Sequence, residues 1–416
     1  LNATLAPQLP GRGRTGFFAQ SGALGVAILE TATERGLGLS TFVSAGNRAD
    51  VSGNDLLQYW QTDPQTDVVL LYLQSFGNPR KFSRLARRLA RTKPIVAVKS
   101  GRNAVRPGLA ATSVQVDDAS VAALFDQAGV IRVESVAEML DTALLLAHQP
   151  LPRGDRVAIV GNSSALGMLA ADAALAQGLT LVGDPVDVGA AATPEEFAEA
   201  VSAAVAGVDA LVTVFVPPVA VPGSAYARAL REALRGLDRE DAKPVVSTFL
   251  AAEGVPDELA VPGPDGTAER GSVHSYPSPE RAVLALARAA RYARWRAAPQ
   301  GEFVRPTGVE RRSARALIEE WLGVGVTRLS DEQVVELLGC YGIDIADFRV
   351  VRHADDAVAA AVELGWPVVV KSTNPQLRHR GDLLGVRLEL HTADAVRAAY
   401  RDMREVSGED EVYVQR

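Results

Sequence analysis

Short apolar runs alternate along the chain with longer stretches in which apolar residues recur every three or four positions. "TGFFAQ", "STFVSAG", "VVLLYLQ", "PIVAVKSG" and "VIRV" have strand length and are nearly continuous in apolar residues, the pattern of strands covered on both faces. Between them, "ALGVAILETATERG", "PRKFSRLARRLAR", "DASVAALFDQAG" and "VAEMLDTALLLAHQ" carry helical spacing, and Gly36 closes the first of them. Regular alternation of this kind predicts a parallel sheet with helices on both faces.

"PLPRGDR", residues 150–156, interrupts the pattern with two prolines and a glycine. A second series then begins with "VAIVGN", "ALGMLAADAALAQGL", "TLVG", "PEEFAEAVSAAVAG", "ALVTVFVPP", "YARALREALRGL" and "PVVSTFL". An irregular stretch, "VPGPDGTAERGSVHSYPSPE", and the helix "RAVLALARAARYARWRAA" complete it. "PQGEFVRPTG" reads as a linker, and a third unit starts near Ala314 with "DEQVVELLGCYG", "VVRHADDAVAAAVELG", "PVVVKST", "GVRLELH" and "ADAVRAAYRDMRE". The expected division is 1–149, 150–300, a linker over 301–325, and 326–416.

Composition narrows the class. A chain of 416 residues, 47% hydrophobic, exceeds the roughly 100–200 residues of one ordinary domain. A charged fraction of 22% argues against long-range disorder. The net charge of −7 has basic and acidic residues intermixed, so a nucleic-acid groove is not expected. No apolar run approaches the ~18 residues of a membrane span, and the first residues lack a signal-peptide pattern. Without an initiator Met, and stopping after the strand-like "EVYVQR", the sequence is expected to be part of a longer polypeptide. The single cysteine, Cys340, permits neither an internal disulfide nor a cysteine metal site, and is expected to be a buried packing residue in a cytoplasmic protein.

Two stretches read alike. "FFAQSGALG" (17–25) and "AIVGNSSALG" (158–167) each pass from an apolar strand through a polar, small-residue turn into a helix. The first N–H groups of such a helix lack intrahelical partners, and its dipole is positive there. Ser21 and Gly22 in the first corner, and Ser163 and Ser164 in the second, are therefore candidate ligands for a phosphate or carboxylate. Small residues at a strand-to-helix turn also serve close packing alone, and both readings stand at this point.

The whole first stretch, "FFAQSGALGVAILETATERGLGLSTFVSAGNRADVSGNDLLQYWQTDPQTDVVLLYL", resembles the CoA-ligase domain of NDP-forming acyl-CoA synthetases, relatives of succinyl-CoA ligase. The resemblance continues through "KPIVAVKSGR", "FDQAGVIRV", "GNSSALGMLAADAALAQG" and "DPVDVG". It ends with "ELLGCYGIDI" and "GWPVVVKSTNPQLRHRGDLLGVRL", similar to the first half of an ATP-grasp domain. It implies an α/β protein: two tandem flavodoxin-like parallel-sheet CoA-ligase domains followed by the N-terminal half of an ATP-grasp domain. It further implies CoA or acyl-CoA and ATP or ADP as ligands, with Mg in an intact protein, nothing covalently bound and no metal site in this chain. In the family, two such corners face one phosphorylated histidine, oriented by a carboxylate.

Here the sequence departs from the family. The carrier histidine belongs in the loop after "KSGR", in a Ser-His-Thr-Gly-like stretch, but this chain has "NAVRPGLAATSVQVDDAS". Ala110, Ala111 and Thr112 are the nearest by position, and none can carry phosphate as an imidazole nitrogen does. Gln74 stands where the family places the orienting Glu. Lys371 resembles the ATP-grasp lysine that contacts nucleotide phosphates, although a strand-end lysine is also a common surface residue. Arg380 replaces one residue of the family's His-Lys pair as a nucleotide contact, and His379 resembles a second histidine that relays phosphate in some members. Asn47, Asp50 and Asp187 lie on loops suited to acyl-CoA, or simply form Asx turns.

Two functions follow from the resemblance. One is a synthetase core without its phosphocarrier, sensing acyl-CoA or nucleotide for a GNAT-type protein lysine acetyltransferase, fused or separate. The other is an active ADP-forming acyl-CoA synthetase that works with further ATP-grasp and CoA-binding parts. In either case the expected partners are small molecules and a second copy of the chain, with no nucleic acid and no membrane.

Overall fold

The computed structural model describes residues 6, 8–46, 51–100, 118–217, 223–235, 242–249, 253–263, 267–301, 304, 306–374, 377 and 385–416. They form two compact units, Leu1–Gln300 and Gly301–Arg416.

The first unit contains two parallel sheets. In the first sheet, β1 (Arg12–Ala19), β2 (Leu39–Ser44), β3 (Val68–Leu73), β4 (Ile95–Lys99) and β5 (Val130–Val133) lie in the order β2–β1–β3–β4–β5. This is the flavodoxin-like order, with every neighbouring pair parallel. The continuous apolar runs have the expected cause: Phe17, Phe18, Leu70, Leu71, Val96 and Ala97 are all buried. Helices α1 (Gly22–Glu34), α2 (Gly53–Thr62), α3 (Pro79–Ala90), α4 (Asp118–Ala128) and α5 (Val136–His148) connect and follow the strands.

Helix α2 is absent from the sequence-level expectations, which treat its start as a loop. Ser52 and Asp55 close a capping box at its N-terminus. The hydrogen bond from the Ser52 hydroxyl, with help from Lys81, holds the Asp55 carboxyl down at about 2. Leu57 and Trp60, one turn apart, are fully buried. Trp60 presses against β1 so closely that a Cβ on Gly16 would lie 2.6 Å from its indole.

The second sheet has the order β10–β9–β6–β7, and β8 pairs with the far end of β6. Its strands are β6 (Arg156–Gly161), β7 (Thr180–Leu181), β8 (Val186–Asp187), β9 (Ala210–Phe215) and β10 (Val245–Phe249). Helices α7 (Pro194–Ala204) and α8 (Gly223–Arg235) cover one face with a core of Phe197, Phe215, Tyr226 and Phe249. Towards the first sheet, α9 (Pro279–Ala297) packs against both α5 and α6 (Ser164–Ala176). One apolar core therefore runs from Phe17 and Leu70 through Leu144 and Leu286 to Val157 and Ile159. The proline-rich turn at 150–156 interrupts the sequence pattern without interrupting the packing.

Charged and polar ties reinforce this layer. Asp141 on α5 is buried and accepts from Arg35 (2.8 Å) and Arg281 (2.7 and 2.8 Å). Arg91 donates to the carbonyls of Trp295, Arg296 and Ala298 and lies over the Trp295 ring at 4.2 Å. The irregular stretch after β10 is irregular as expected, but its end is core: Ser272, Val273, His274, Ser275 and Tyr276 are buried. His274 Nε2 lies 2.9 Å from His148 Nδ1, and His148 Nε2 donates to the Ala268 carbonyl at 3.0 Å.

The second unit has an antiparallel sheet, β11–β14–β12–β13. Its strands are β11 (Phe348–Val351), β12 (Val368–Ser372), β13 (Val386–Leu390) and β14 (Val412–Gln415). Helices α12 (Ala354–Leu364) and α13 (Ala393–Ser407) supply Ala357, Ala361, Val396, Tyr400 and Met403 to its core. Two further helices, α10 (Arg311–Gly323) and α11 (Asp331–Gly339), precede them. Thus a helix occupies much of the stretch expected as linker. Cys340 is half-buried at the C-cap of α11, rather than buried in a core, because that helix has no fully buried residue.

Candidate functional site

The two corners are built alike at every level. Each strand ends in a buried amide residue, Gln20 after β1 and Asn162 after β6. Each amide is followed by a serine N-cap with extended backbone, φ −141° and ψ 118° at Ser21, φ −149° and ψ 114° at Ser163. From the amide onward the burial repeats position by position: buried, half-buried, exposed, exposed, half-buried, buried, over 20–25 and 162–167. Gly25 and Gly167 end the two series on the buried side, where a Cβ would lie 3.0 Å from Phe42 and 3.2 Å from Pro185. Close approach of each helix to its surroundings thus accounts for these two glycines.

The amides brace the corners in the same way. The Gln20 Oε1 accepts from the backbone N–H groups of Gln74 (2.7 Å) and Ser75 (3.0 Å), and its Nε2 donates to the Ser75 carbonyl at 2.8 Å. The Asn162 Oδ1 accepts from Val216 N–H, and its Nδ2 donates to the Val216 carbonyl, both at 2.8 Å. In each case the partner is the segment just beyond the neighbouring strand, β3 or β9. Gln20 N–H bonds to Tyr72 and Asn162 N–H to Val214, the penultimate residues of those strands. The brace fixes the turn, so the helix N-terminus keeps its direction without a ligand. Both amides were overlooked as functional residues at the sequence level, although each stands in the quoted motif immediately before the serine.

The exposed positions are Gly22 and Ala23 in one corner and Ser164 and Ala165 in the other. A Cβ on Gly22 would meet nothing within 4 Å. Neither α1 nor α6 has an acidic residue in its first turn, a lack shared with α3, α8 and α10, whereas α2, α4, α5, α7, α9, α11, α12 and α13 each have one. The positive end of each dipole is therefore not compensated by the helix's own side chains. Exposed N–H donors, small side chains and an uncompensated dipole suit a phosphate dianion.

The other expected residues fall in several places. Gln74 is exposed beside the first corner, its backbone held by Gln20. Asp187 lies beside the second corner, paired in register with Gly161. Its Oδ1 accepts from Gly189 N–H at 2.9 Å, which is the Asx-turn arrangement. Lys371 is on β12 in the second unit, and its Nζ donates to Gln415 Oε1 at 2.7 Å. Asn47, Asp50, Ala110, Ala111, Thr112, His379 and Arg380 lie outside the described residues. A small void next to the first corner, about 10 Å³, is lined in part by Gln20, Asn54 and Ser75. The Asn54 Oδ1 is buried there without a partner, so the void has the size and polarity for one water molecule.

Residues 12–146 match the succinyl-CoA ligase-like flavodoxin domain, and residues 320–415 match an ATP-grasp domain. The chain is 30% identical to acetate–CoA ligase (ADP-forming) I of Archaeoglobus fulgidus over 98% of its own length and 60% of the relative's. It is 25% identical to 4-hydroxybutyrate–CoA ligase (ADP-forming) of Nitrosopumilus maritimus, over 96% of this chain and 60% of that one. The chain thus spans about 60% of the length of these two relatives. Among solved structures it resembles acetyl-coenzyme A synthetase 1 of Ca. Korarchaeum cryptofilum in its apo form, with a TM-score of 0.62 and 28% identity over 71% of this chain and 68% of the other. A structure of that protein with phosphate and ADP gives the same values. The fold is the expected α/β one, with parallel-sheet flavodoxin-like CoA-ligase domains and a partial ATP-grasp domain.

Proposed function

Because its domains and relatives support the ADP-forming acetyl-CoA synthetase family for this chain, we propose that it forms the acyl-CoA- and nucleotide-binding core of such a protein, with the two corners holding one phosphoryl-sized anion. The observation that carries this reading is the repeated corner: an amide brace, a serine cap and an acid-free first turn at the ends of β1 and β6. Packing alone would account for Gly25 and Gly167. It gives no reason why, among the described helices that lack a first-turn acid, α1 and α6 alone combine that lack with exposed small residues beyond a braced serine cap.

On this reading the corners hold a phosphate, but the covalent relay lacks its carrier, since no histidine occurs between 101 and 117. Gln74 can donate or accept a hydrogen bond, but it cannot balance an imidazolium charge. The core on this reading binds and reports on its ligands, and phosphate does not pass through that loop. Lys371 would contact nucleotide phosphates; its Nζ already points into a polar neighbourhood with Gln415. A sensing role for a GNAT-type lysine acetyltransferase is the finer part of the proposal, and it rests on the resemblance together with the missing histidine. The second reading, an active ADP-forming ligase, is favoured by identity to acetate–CoA ligase over nearly the whole chain.

One experiment separates the two. The longest polypeptide that carries this chain is incubated with γ-labelled ATP, acetate and CoA. Binding of CoA or acetyl-CoA in calorimetry, without acid-labile label on the protein and without acetyl-CoA formation, is the expected result. ATP-dependent acetyl-CoA formation would overturn the relay-free reading in favour of the ligase.

A further inference from the structure

Helix α3 presents a row of guanidinium groups to solvent. Arg80, Arg84, Arg87, Arg88 and Arg91 line one groove of about 740 Å³, and no described residue lining it is Asp or Glu. The first four are exposed. Most described arginines have a carboxylate or carbonyl partner: Arg14, Arg132, Arg156, Arg288 and Arg294 are examples. For Arg80, Arg84, Arg87 and Arg88 the described residues offer none.

The row works against the helix that carries it. Arg80 and Arg84, and Arg84 and Arg88, are one turn apart, and like charges at that spacing repel. Arg87 and Arg88 sit in the last turn, where the dipole favours them. Arg80 sits in the first turn, where the dipole opposes a cation. Solubility does not require such a row in a chain whose net charge is −7. The repulsion is relieved when an anion occupies the groove.

The groove is open to solvent along the helix and wide enough to admit a small molecule. Its volume falls within the roughly 300–1,000 Å³ of ligand pockets. Arg80 to Arg91 spans roughly 16 Å of helix, so the cationic row can follow an extended chain of phosphates. Arg91 is fixed at one end by three backbone carbonyls and the Trp295 ring. Ser83 and Gln300 add neutral hydrogen-bonding groups, and Leu124 an apolar wall. Guanidinium groups bind phosphate oxygens in pairs, a geometry that an ammonium group cannot reproduce.

We infer that the outer face of α3 is a binding site for a small polyphosphorylated ligand, distinct from the two corners and independent of their proposed role. The ligand is either a free polyphosphate or the phosphate chain of a nucleoside di- or triphosphate.

The test is calorimetry on the 416-residue chain at near-physiological salt, with inorganic tripolyphosphate, ATP and AMP as probes. Tripolyphosphate is expected to bind more tightly than AMP. The double variant R84A/R88A is expected to lose at least tenfold, and R84K/R88K to fall between the two. Both side chains are exposed, so the variants' melting temperatures are expected to match the parent's. An R84A/R88A-sensitive ATP affinity well above that for tripolyphosphate identifies a nucleotide. Equal affinities identify the phosphate chain alone. The proposal is overturned if R84A/R88A leaves tripolyphosphate binding unchanged. It is equally overturned if a polyglutamate peptide or a single-stranded oligonucleotide of matched charge binds this face at least as tightly.

Discussion

Replacing Gln20 by Leu tests whether the buried amide braces the first corner. Leucine nearly conserves volume, so the loss is that of three hydrogen bonds, to Gln74 N–H, Ser75 N–H and the Ser75 carbonyl. A typical bond contributes about 1 kcal/mol net, and a buried group left without a partner costs about 1–3 kcal/mol. Gln74 is exposed and Ser75 half-buried, so water recovers part of the loss. The expected cost is therefore about 3 kcal/mol. Asn162→Leu removes two bonds and is expected to cost about 2 kcal/mol. Amide hydrogen exchange reads the effect locally: in Q20L, Gln74 and Ser75 are expected to exchange roughly 100-fold faster, and in N162L, Val216 does so by a smaller factor. If Q20L leaves exchange at Gln74 and Ser75 unchanged and alters denaturant stability by less than about 0.5 kcal/mol, the amide is not a brace.

Other predictions concern the framework around the corners. Asp141→Ala removes the buried carboxylate shared by Arg35 and Arg281; because Arg35 keeps Glu253 and Arg281 is part-exposed, the expected cost is about 2–3 kcal/mol in urea unfolding followed by Trp fluorescence. Burial pushes the imidazoles of His148 and His274 below the usual histidine value, and nearby His148 and Arg35 lower that of His274 further. Because the folded state holds them neutral, their contribution is intact above pH ~6.5 and is lost as pH falls below it, by up to about 1.4 kcal/mol per histidine per pH unit. His274→Gln is expected to flatten that acid limb in a series of melts at pH 5–8. Gly161→Ala would set a Cβ 2.3 Å from the Val214 carbonyl oxygen. It is expected to lower the melting temperature by several degrees, by displacing the end of β6.

Much of this was legible from local pattern. The continuous apolar runs fixed the strands because a parallel sheet buries both faces of each strand. The twin corners were legible because their residues are contiguous in sequence. Their braces were half legible: Gln20 and Asn162 stand in the motifs, but their partners lie 54 or 55 residues further on, a distance no periodicity spans. Asp187 illustrates an ambiguity that only geometry resolves locally, because its hydrogen bond to Gly189 is the Asx-turn arrangement. Helix α2 escaped notice because a glycine and polar residues precede its two buried anchors, Leu57 and Trp60. Ser272 to Tyr276 look like loop by composition. They are buried because β10 offers them backbone partners, as in Ser247 N–H to the His274 carbonyl at 3.1 Å. The arginine row of α3 was visible as a basic helix, but only the packed structure shows that it lines a groove with no carboxylate among its described lining residues.

The central claim is that two acid-free helix N-termini hold an anion, and placing an acid at each tests it most directly. Ala23 and Ala165 are exposed first-turn residues of α1 and α6. In Ala23→Asp and Ala165→Asp the new carboxylate favours the helix dipole, so stability is expected to hold or rise by about 0.3–1 kcal/mol. At about 6 Å from a bound phosphate, with an effective dielectric of ~40, the same carboxylate costs ~1.4 kcal/mol of binding for the monoanion and ~2.8 kcal/mol for the dianion. Titration with inorganic phosphate, followed by ³¹P line width, is therefore expected to show at least tenfold weaker binding in each variant, with unchanged or higher melting temperature. Phosphate affinity equal to that of the parent in both variants would contradict the account.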